Sequence, residues 1–238
     1  MVAADDGVGL DEALAKLEAR GAVVRWCGGA VVRAVQVDLA TAAGVSPLCR
    51  ALGDARVDAL LANAGQGVGG AFLDQDFAAV QRLIDTNITG TLMLVQQLGR
   101  GMRSRGSRRI LITGSIAGLT AGSFQAAYAA SKAFLDSFAP ALRNELKDDG
   151  VSVTCLMPGP TETPFYERAG MADSAVGQSK KYDPADVARA GSKAMMAGDE
   201  KSLPGLLNKV VGALAPLTPI RVVAELSRRA SKPGDAGN

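Results

Sequence analysis

Short, β-branched apolar runs alternate along the chain with longer stretches whose apolar residues recur every three or four positions. That alternation is the signature of βα units packed as an α/β fold, a parallel sheet with helices on both faces. The pattern predicts strands over residues 31–39, 57–63, 109–115 and 151–157, and helices over 10–20, 43–52, 77–105, 124–148 and from Pro184 onward. The longest apolar stripe carries Val80, Leu83, Ile84, Ile88, Leu92 and Val95, and is interrupted by Gly90, which weakens a helix and needs a packing reason. Pro158 ends the last apolar strand, and Lys201, Pro204 and Gly205 argue against a further strand over 199–206. Pro204, Pro216 and Pro219 punctuate the C-terminal segment, and residues 231–238 (SKPGDAGN) are expected to be a disordered tail to a single domain spanning 1–230. A local repeat, Gly21-Ala22-Val23-Val24-Arg25 and Gly29-Ala30-Val31-Val32-Arg33, reads as a hairpin or small insertion.

Composition narrows the chemistry. The 238 residues are 47% hydrophobic and 21% charged, with 26 basic against 24 acidic side chains. This balance gives no reason to expect a nucleic-acid partner. No apolar run approaches the roughly 18 residues of a membrane span, and Asp5 and Asp6 stand where a signal peptide is basic, so no membrane partner and a cytoplasmic location are expected. Cys27, Cys49 and Cys155 lack metal-ligand spacing and the chain has no His, so no metal site is expected and His-activated nucleophiles are excluded. Acid–base chemistry falls to Tyr, Lys or carboxylates.

Three predicted strands finish in small or polar residues: Asn63-Ala64-Gly65, Ser115 in ITGS, and PGPTET from Pro158. The carboxyl ends of parallel strands are where such sheets build ligand crevices. Tyr128 and Lys132, in YAASK, lie four apart and so share a helix face. Each piece alone has an ordinary reading. A Tyr–Lys pair arises by chance, Asp38 could cap a helix, Asn63–Gly65 and Pro158-Gly159 could be turns, and Asn87 could mark a kink beside Gly90.

Taken together, VDL (37–39), NAG (63–65), Asn87 in DTNITG, Ser115, YAASK and PGPTET stand in the order and spacing of the classical short-chain dehydrogenase/reductase family, which the chain resembles from about Val31 to Gly191. The resemblance implies a Rossmann-like doubly wound sheet. It further implies an oxidoreductase moving a hydride between NAD or NADP and the carbonyl or secondary alcohol of a small molecule. Catalytic roles are implied for Asn87, Ser115, Tyr128 and Lys132. Tyr128 would exchange the proton, Lys132 would lower its pKa and hold the nicotinamide ribose, Ser115 would hold the substrate oxygen, and Asn87 would anchor a water linking Lys132 to solvent. Lowering a phenol to near pH 7 takes roughly three pKa units, about 4 kcal/mol. Cofactor contacts are implied for Asp38 and Leu39 at the adenine, Asn63, Ala64 and Gly65 at the adenosine ribose, and Pro158, Gly159, Thr161 and Thr163 at the carboxamide and pyrophosphate. Residues 164–182 would form a substrate lid with Phe165, Tyr166 and Met171 inside and Lys180 and Lys181 facing solvent. A homodimer or homotetramer built on the two long helices is implied.

The front of the chain departs from that family. A Gly-x-Gly counts as a dinucleotide fingerprint only between a strand and a helix, and Gly7-Val8-Gly9 lacks the strand. Residues 2–6 align better with the end of the family's second strand, so the sheet is expected to be N-terminally truncated. Asp5 or Asp6 would then meet the adenosine 2′-hydroxyl, which leans toward NAD. A central strand burying about five side chains contributes on the order of 10 kcal/mol, comparable with a domain's whole stability. The alternative function is therefore a non-catalytic, cofactor-deficient binding or partner subunit.

Overall fold

The computed structural model describes residues 2–4, 34–106 and 108–234. The Gly7–Gly9 candidate, Asp5 and Asp6, the helix expected over 10–20, the repeat at 21–33, Cys27 and residues 235–238 lie outside the described residues. Residues up to Arg56 form one compact unit and those from Val57 a second.

In the first unit strand β1 (Val2–Ala4) pairs in parallel with β2 (Ala34–Gln36), the described part of the strand expected at 31–39. The chain then turns at Asp38, whose Oδ1 accepts the Ala40 N–H at 3.0 Å. Thr41 caps helix α1 (Ala42–Leu52) by accepting the Gly44 N–H at 3.0 Å, and Gly53, at φ 53°, closes it.

The second unit is built on four parallel strands in the order β3 (Ala59–Ala62), β4 (Arg108–Thr113), β5 (Val151–Leu156) and β6 (Lys201–Ser202). Ile112 lies opposite Cys155 and Thr113 opposite Leu156. The central strands are buried on both sides, which is why they read as continuous apolar runs rather than alternating ones. Leu111 and Leu156 pack on one side with Val187 and Met195 of helix Pro184–Ala197. On the other side Cys155 meets Asp136 of helix Ala126–Glu145. Helices thus flank both faces, as the sequence pattern requires.

Two predicted boundaries change. The stretch expected as one helix over 77–105 is helix α2 (Phe77–Ile84), a π-helical turn (Asp85–Gly90) and helix α3 (Thr91–Arg103). A strand does form after Asp199. Its two residues pair with β5, fixed by Cys155 N–H to Glu200 O at 2.9 Å and Met157 N–H to Ser202 O at 2.8 Å. Pro204 and Gly205 shorten this strand; they do not prevent it.

Helix α4 (Ala126–Glu145) follows Phe124, whose φ of 60° turns the chain into its first residues. Helix α5 (Pro184–Ala197) starts on an Asp183 cap with Pro184 in its first turn. Beyond β6, in the proline-punctuated segment, stand helices α6 (Leu206–Leu214) and α7 (Ile220–Ser231). Ser231 is buried and accepts the Gln125 side-chain amide at 3.1 Å, and the Gly234 N–H donates to Asp173 at 3.1 Å.

Candidate active site

The carboxyl ends of β3, β4 and β5 meet directly. Thr113 Oγ1 donates to Asn63 Oδ1 at 2.9 Å, and the Ile116 N–H donates to Pro158 O at 3.1 Å. Ser115 lies between them. Its hydroxyl accepts the Ala117 N–H at 3.1 Å, which fixes the side chain at the head of a 3-10 turn (Ile116–Leu119).

Helix α4 brings Tyr128, Lys132 and Asp136 to this edge, one turn apart on one face. The Tyr128 phenol stands near enough to the Ser115 side chain for that hydroxyl to act on its pKa. Burial pushes the phenol up to about 12, Ser115 lowers it in part, and the Asp136 carboxylate raises it. Lys132 is buried, with Nζ donating to Thr113 O at 2.8 Å and standing 5.9 Å from the centroid of the Tyr128 ring. Burial drives the ammonium down to about 8, against the pull of Asp136.

The π turn serves Asn87. Its side chain is fully buried, with Oδ1 accepting the Gln66 N–H at 2.7 Å and Nδ2 donating to Gln66 O at 3.0 Å and to Ser131 Oγ at 2.9 Å. The amide thus pairs with the Gln66 backbone as an adjacent strand would, and holds the loop after β3 against helix α4. That loop begins at Gly65, where an added Cβ would lie 3.3 Å from Lys132 Nζ and 3.4 Å from Asn87 Oδ1. Pi turns tend to occur at sites where a side chain must be placed out of helical register.

After β5, Thr161 Oγ1 donates to Gly159 O at 2.9 Å, and Thr163 Oγ1 accepts the Phe165 N–H at 3.4 Å. Residues 164–182, expected as the lid, then pack against Tyr128 and the loop after β3. Phe165 lies 5.1 Å from the Tyr128 ring and 5.4 Å from the Tyr166 ring, and the Gly69 N–H donates to Ala169 O at 2.7 Å. Met171 is buried beneath it. Burial holds the Tyr166 phenol well above its ordinary value, as does its proximity to Tyr128. Lys180 is exposed, but Lys181 does not face solvent as expected. Its side chain is only 13% exposed, with Nζ 5.6 Å from the Tyr166 ring centroid and 3.9 Å from Glu162. An aliphatic stem laid over an aromatic face buries more apolar area than a free lysine could.

Of the sequence-predicted residues, Asn63, Ala64, Gly65, Asn87, Ser115, Tyr128, Lys132, Pro158, Gly159, Thr161 and Thr163 all belong to the second unit. Asp38 and Leu39 belong to the first, at the turn between β2 and α1. Two residues escaped the sequence reading. Asp136 is enclosed so tightly that an added Cβ on Gly114 or Gly118 would lie 1.8 or 2.2 Å from its carboxylate oxygens. Its Oδ1 accepts the Ser115 N–H at 3.4 Å, while Oδ2 is buried without a hydrogen-bond partner. Burial pushes this acid up to about 6, opposed by Cys155, the Ser115 N–H, Lys132 and Lys201. Asn208, also buried, donates to Pro204 O and lies where a Cβ on Gly159 would be, 2.3 Å from its Oδ1. The signal that could have found Asp136 is its position four residues beyond Lys132; nothing local marks Asn208.

A phenol hydrogen and a serine hydroxyl converging beside a buried ammonium can hold one oxygen atom and give it a proton. Comparison with known proteins gives the family. The profile of the short chain dehydrogenase family matches residues 5–173. Human 17-beta-hydroxysteroid dehydrogenase type 1 is 32% identical over 142 residues, which are 60% of this chain and 43% of that protein. Human retinol dehydrogenase 8 is 32% identical over 152 residues, 64% of this chain and 49% of that protein. The chain thus spans about half the length of these curated relatives or less. Among solved structures, a short-chain dehydrogenase from Sphingobium yanoikuyae in complex with NADPH superposes with a TM-score of 0.75 at 26% identity, over 90% of this chain and 83% of that one.

Proposed function

Because the chain belongs to the short-chain dehydrogenase/reductase family, we propose that it moves a hydride between a nicotinamide cofactor and a small-molecule carbonyl or secondary alcohol. The observation that carries the reading is that Tyr128 and the buried Lys132, one helical turn apart, stand at the strand end that holds Ser115, with Lys132 Nζ on Thr113 O at 2.8 Å and 5.9 Å from the Tyr128 ring centroid.

The second unit fits the nicotinamide end of such a cofactor. Lys132 gives one of its three N–H donors to Thr113 O, which leaves the others for ribose hydroxyls. Gly65, beside it, has no side chain to obstruct their approach. When bound, the reduced nicotinamide supplies the hydride. Tyr128 then gives its proton to the oxygen of the reduced carbonyl, and Ser115 holds that oxygen through its hydroxyl. Asn87 keeps the Gly65–Gln66 loop at the distance from Lys132 that admits the ribose. Pro158, Gly159, Thr161 and Thr163 would meet the carboxamide and pyrophosphate, Asn63 and Ala64 the adenosine ribose, and Asp38 and Leu39 the adenine. Burial, which pushes the Tyr128 phenol up to about 12, keeps it protonated at neutral pH, the state in which it can donate to a carbonyl oxygen.

The apolar lining by Phe165, Tyr166 and Met171 favours a substrate with an apolar body beside its carbonyl. Steroid and retinol are named in the relatives at 32% identity. NADPH is the cofactor of the solved neighbour, and both NADH and NADPH belong in the assay. Oxidation of either by a panel of ketones should fall on the order of 100-fold to 10,000-fold in Tyr128→Phe. Equal rates in variant and wild type would remove Tyr128 from the chemistry. Titration of NADH and NADPH by fluorescence separates this reading from a non-catalytic partner subunit, which would show no saturable binding.

A further inference from the structure

We infer that the outward face of residues 206–226 is a docking surface for an anionic lipid bilayer, independently of the oxidoreductase reading. Helix α6 has its polarity reversed. Leu206, Val210 and Leu214, at every fourth position, and Leu207 beside them point outward, with Leu206 80% exposed, whereas Asn208 is buried at 1%. A helix whose role is to fill a core turns its apolar stripe inward. The outward apolar run continues through Leu217, 80% exposed, and Ile220, 72% exposed, to Val222 and Leu226 on helix α7. Exposed large apolar side chains gathered in one segment mark an interaction site.

Charge selects the occupant. Over 203–234 the basic residues are Lys209, Arg221, Arg228, Arg229 and Lys232, against Glu225 alone, although the whole chain carries a net charge of only +2. Apolar side chains on a short helix rimmed by Lys and Arg are the composition of helices that lie in the plane of a bilayer surface. No described helix is long and apolar enough to cross a membrane, so the contact is with one surface. A second copy is the less favourable occupant, since two-fold pairing of this face brings identical basic rims together. The expectation of no membrane partner rests on the lack of a span and on Asp5 and Asp6, whereas the inference rests on a charge asymmetry confined to about thirty residues.

The surface also borders the crevice. Helix α7 packs on the lid turn Ala175–Gln178, and α6 packs on the turn that follows Ser115. A bilayer seated there lies next to the lid.

The test is flotation of the full chain with vesicles of phosphatidylcholine alone and of phosphatidylcholine with phosphatidylserine. The wild type should float with the anionic vesicles and be released as salt is raised. Leu207→Gln/Leu214→Gln and Arg228→Glu/Arg229→Glu should each float at least about tenfold less. Circular dichroism checks that both variants fold, and should one fail to fold, the other still reports. The inference is overturned if the wild type stays soluble with both vesicle types or if the folded variants float as well as it does. It is equally overturned if light scattering shows the leucine variant losing a subunit while no form floats, because a second copy then covers the face.

Discussion

Asp136 shares a helix face with Tyr128 and Lys132, and its charge raises the pKa of both. Replacing it with Asn keeps an acceptor for the Ser115 N–H and removes that charge. The pKa governing alcohol oxidation should therefore move to lower pH in Asp136→Asn, read from the pH dependence of kcat; an unmoved profile would show that the carboxylate does not act on the pair. The same group makes a stability prediction. Its folded pKa, about 6, lies above the unfolded value of 3.8, so its contribution is fully present below about pH 4 and is lost as pH rises through 6. Asp136→Asn should accordingly melt higher than wild type at pH 8, by a few degrees, with the difference gone near pH 4. Sequence spacing placed Tyr128, Lys132 and Ser115 correctly at one edge. It could not rank Asp136, because the acid's enclosure depends on Gly114 and Gly118, which look like ordinary loop glycines until the turn after β4 closes on the helix.

At the scale of elements, the lid and the loop after β3 close on each other through positions that only glycine fits. A Cβ on Gly67 would lie 2.5 Å from Phe165 Cζ, and one on Gly69 2.2 Å from Met171 Cγ. Gly67→Val should push the lid outward and raise KM on the order of tenfold or more with a smaller change in kcat. Adding Phe165→Ala should recover part of the loss, and failure of the double variant to recover would place the clash elsewhere. The strands and most helices were legible because their apolar periods are regular. Helix α6 was not, since its buried side carries Asn208 and its outward side carries leucine, the reverse of what the period rewards. The π turn was hidden for a related reason: the stripe from Val80 to Val95 keeps its three- and four-residue intervals across it, so the sequence shows an unbroken helix.

For the whole molecule, the exposed large apolar residues among the described ones fall mostly into two groups, with Leu61 and Met196 outside both. One is the C-terminal face already assigned to lipid. The other lies on the long helices and just before them, where Phe72, Leu73, Phe77 and Phe134 are exposed and Phe134 stacks on Phe138 at 6.0 Å. This second group is where the family resemblance expects subunits to meet. Phe77→Glu/Phe134→Glu should convert an oligomer to monomer by light scattering; a wild type that is already monomeric, or an unchanged variant, would dismiss that face as the interface. The two groups should respond separately, since neither pair of substitutions touches the other surface.

Asn87 gives the molecule a point of early failure. Its one amide fastens the segment beyond β3 to helix α4, and among the described residues no second side chain shares that task at Gln66 O or the Gln66 N–H. Warming that loosens this fastening releases the loop beside Lys132 while the sheet is still intact. Loss of turnover should thus precede the cooperative melt, and a bound dinucleotide should close the gap between the two temperatures.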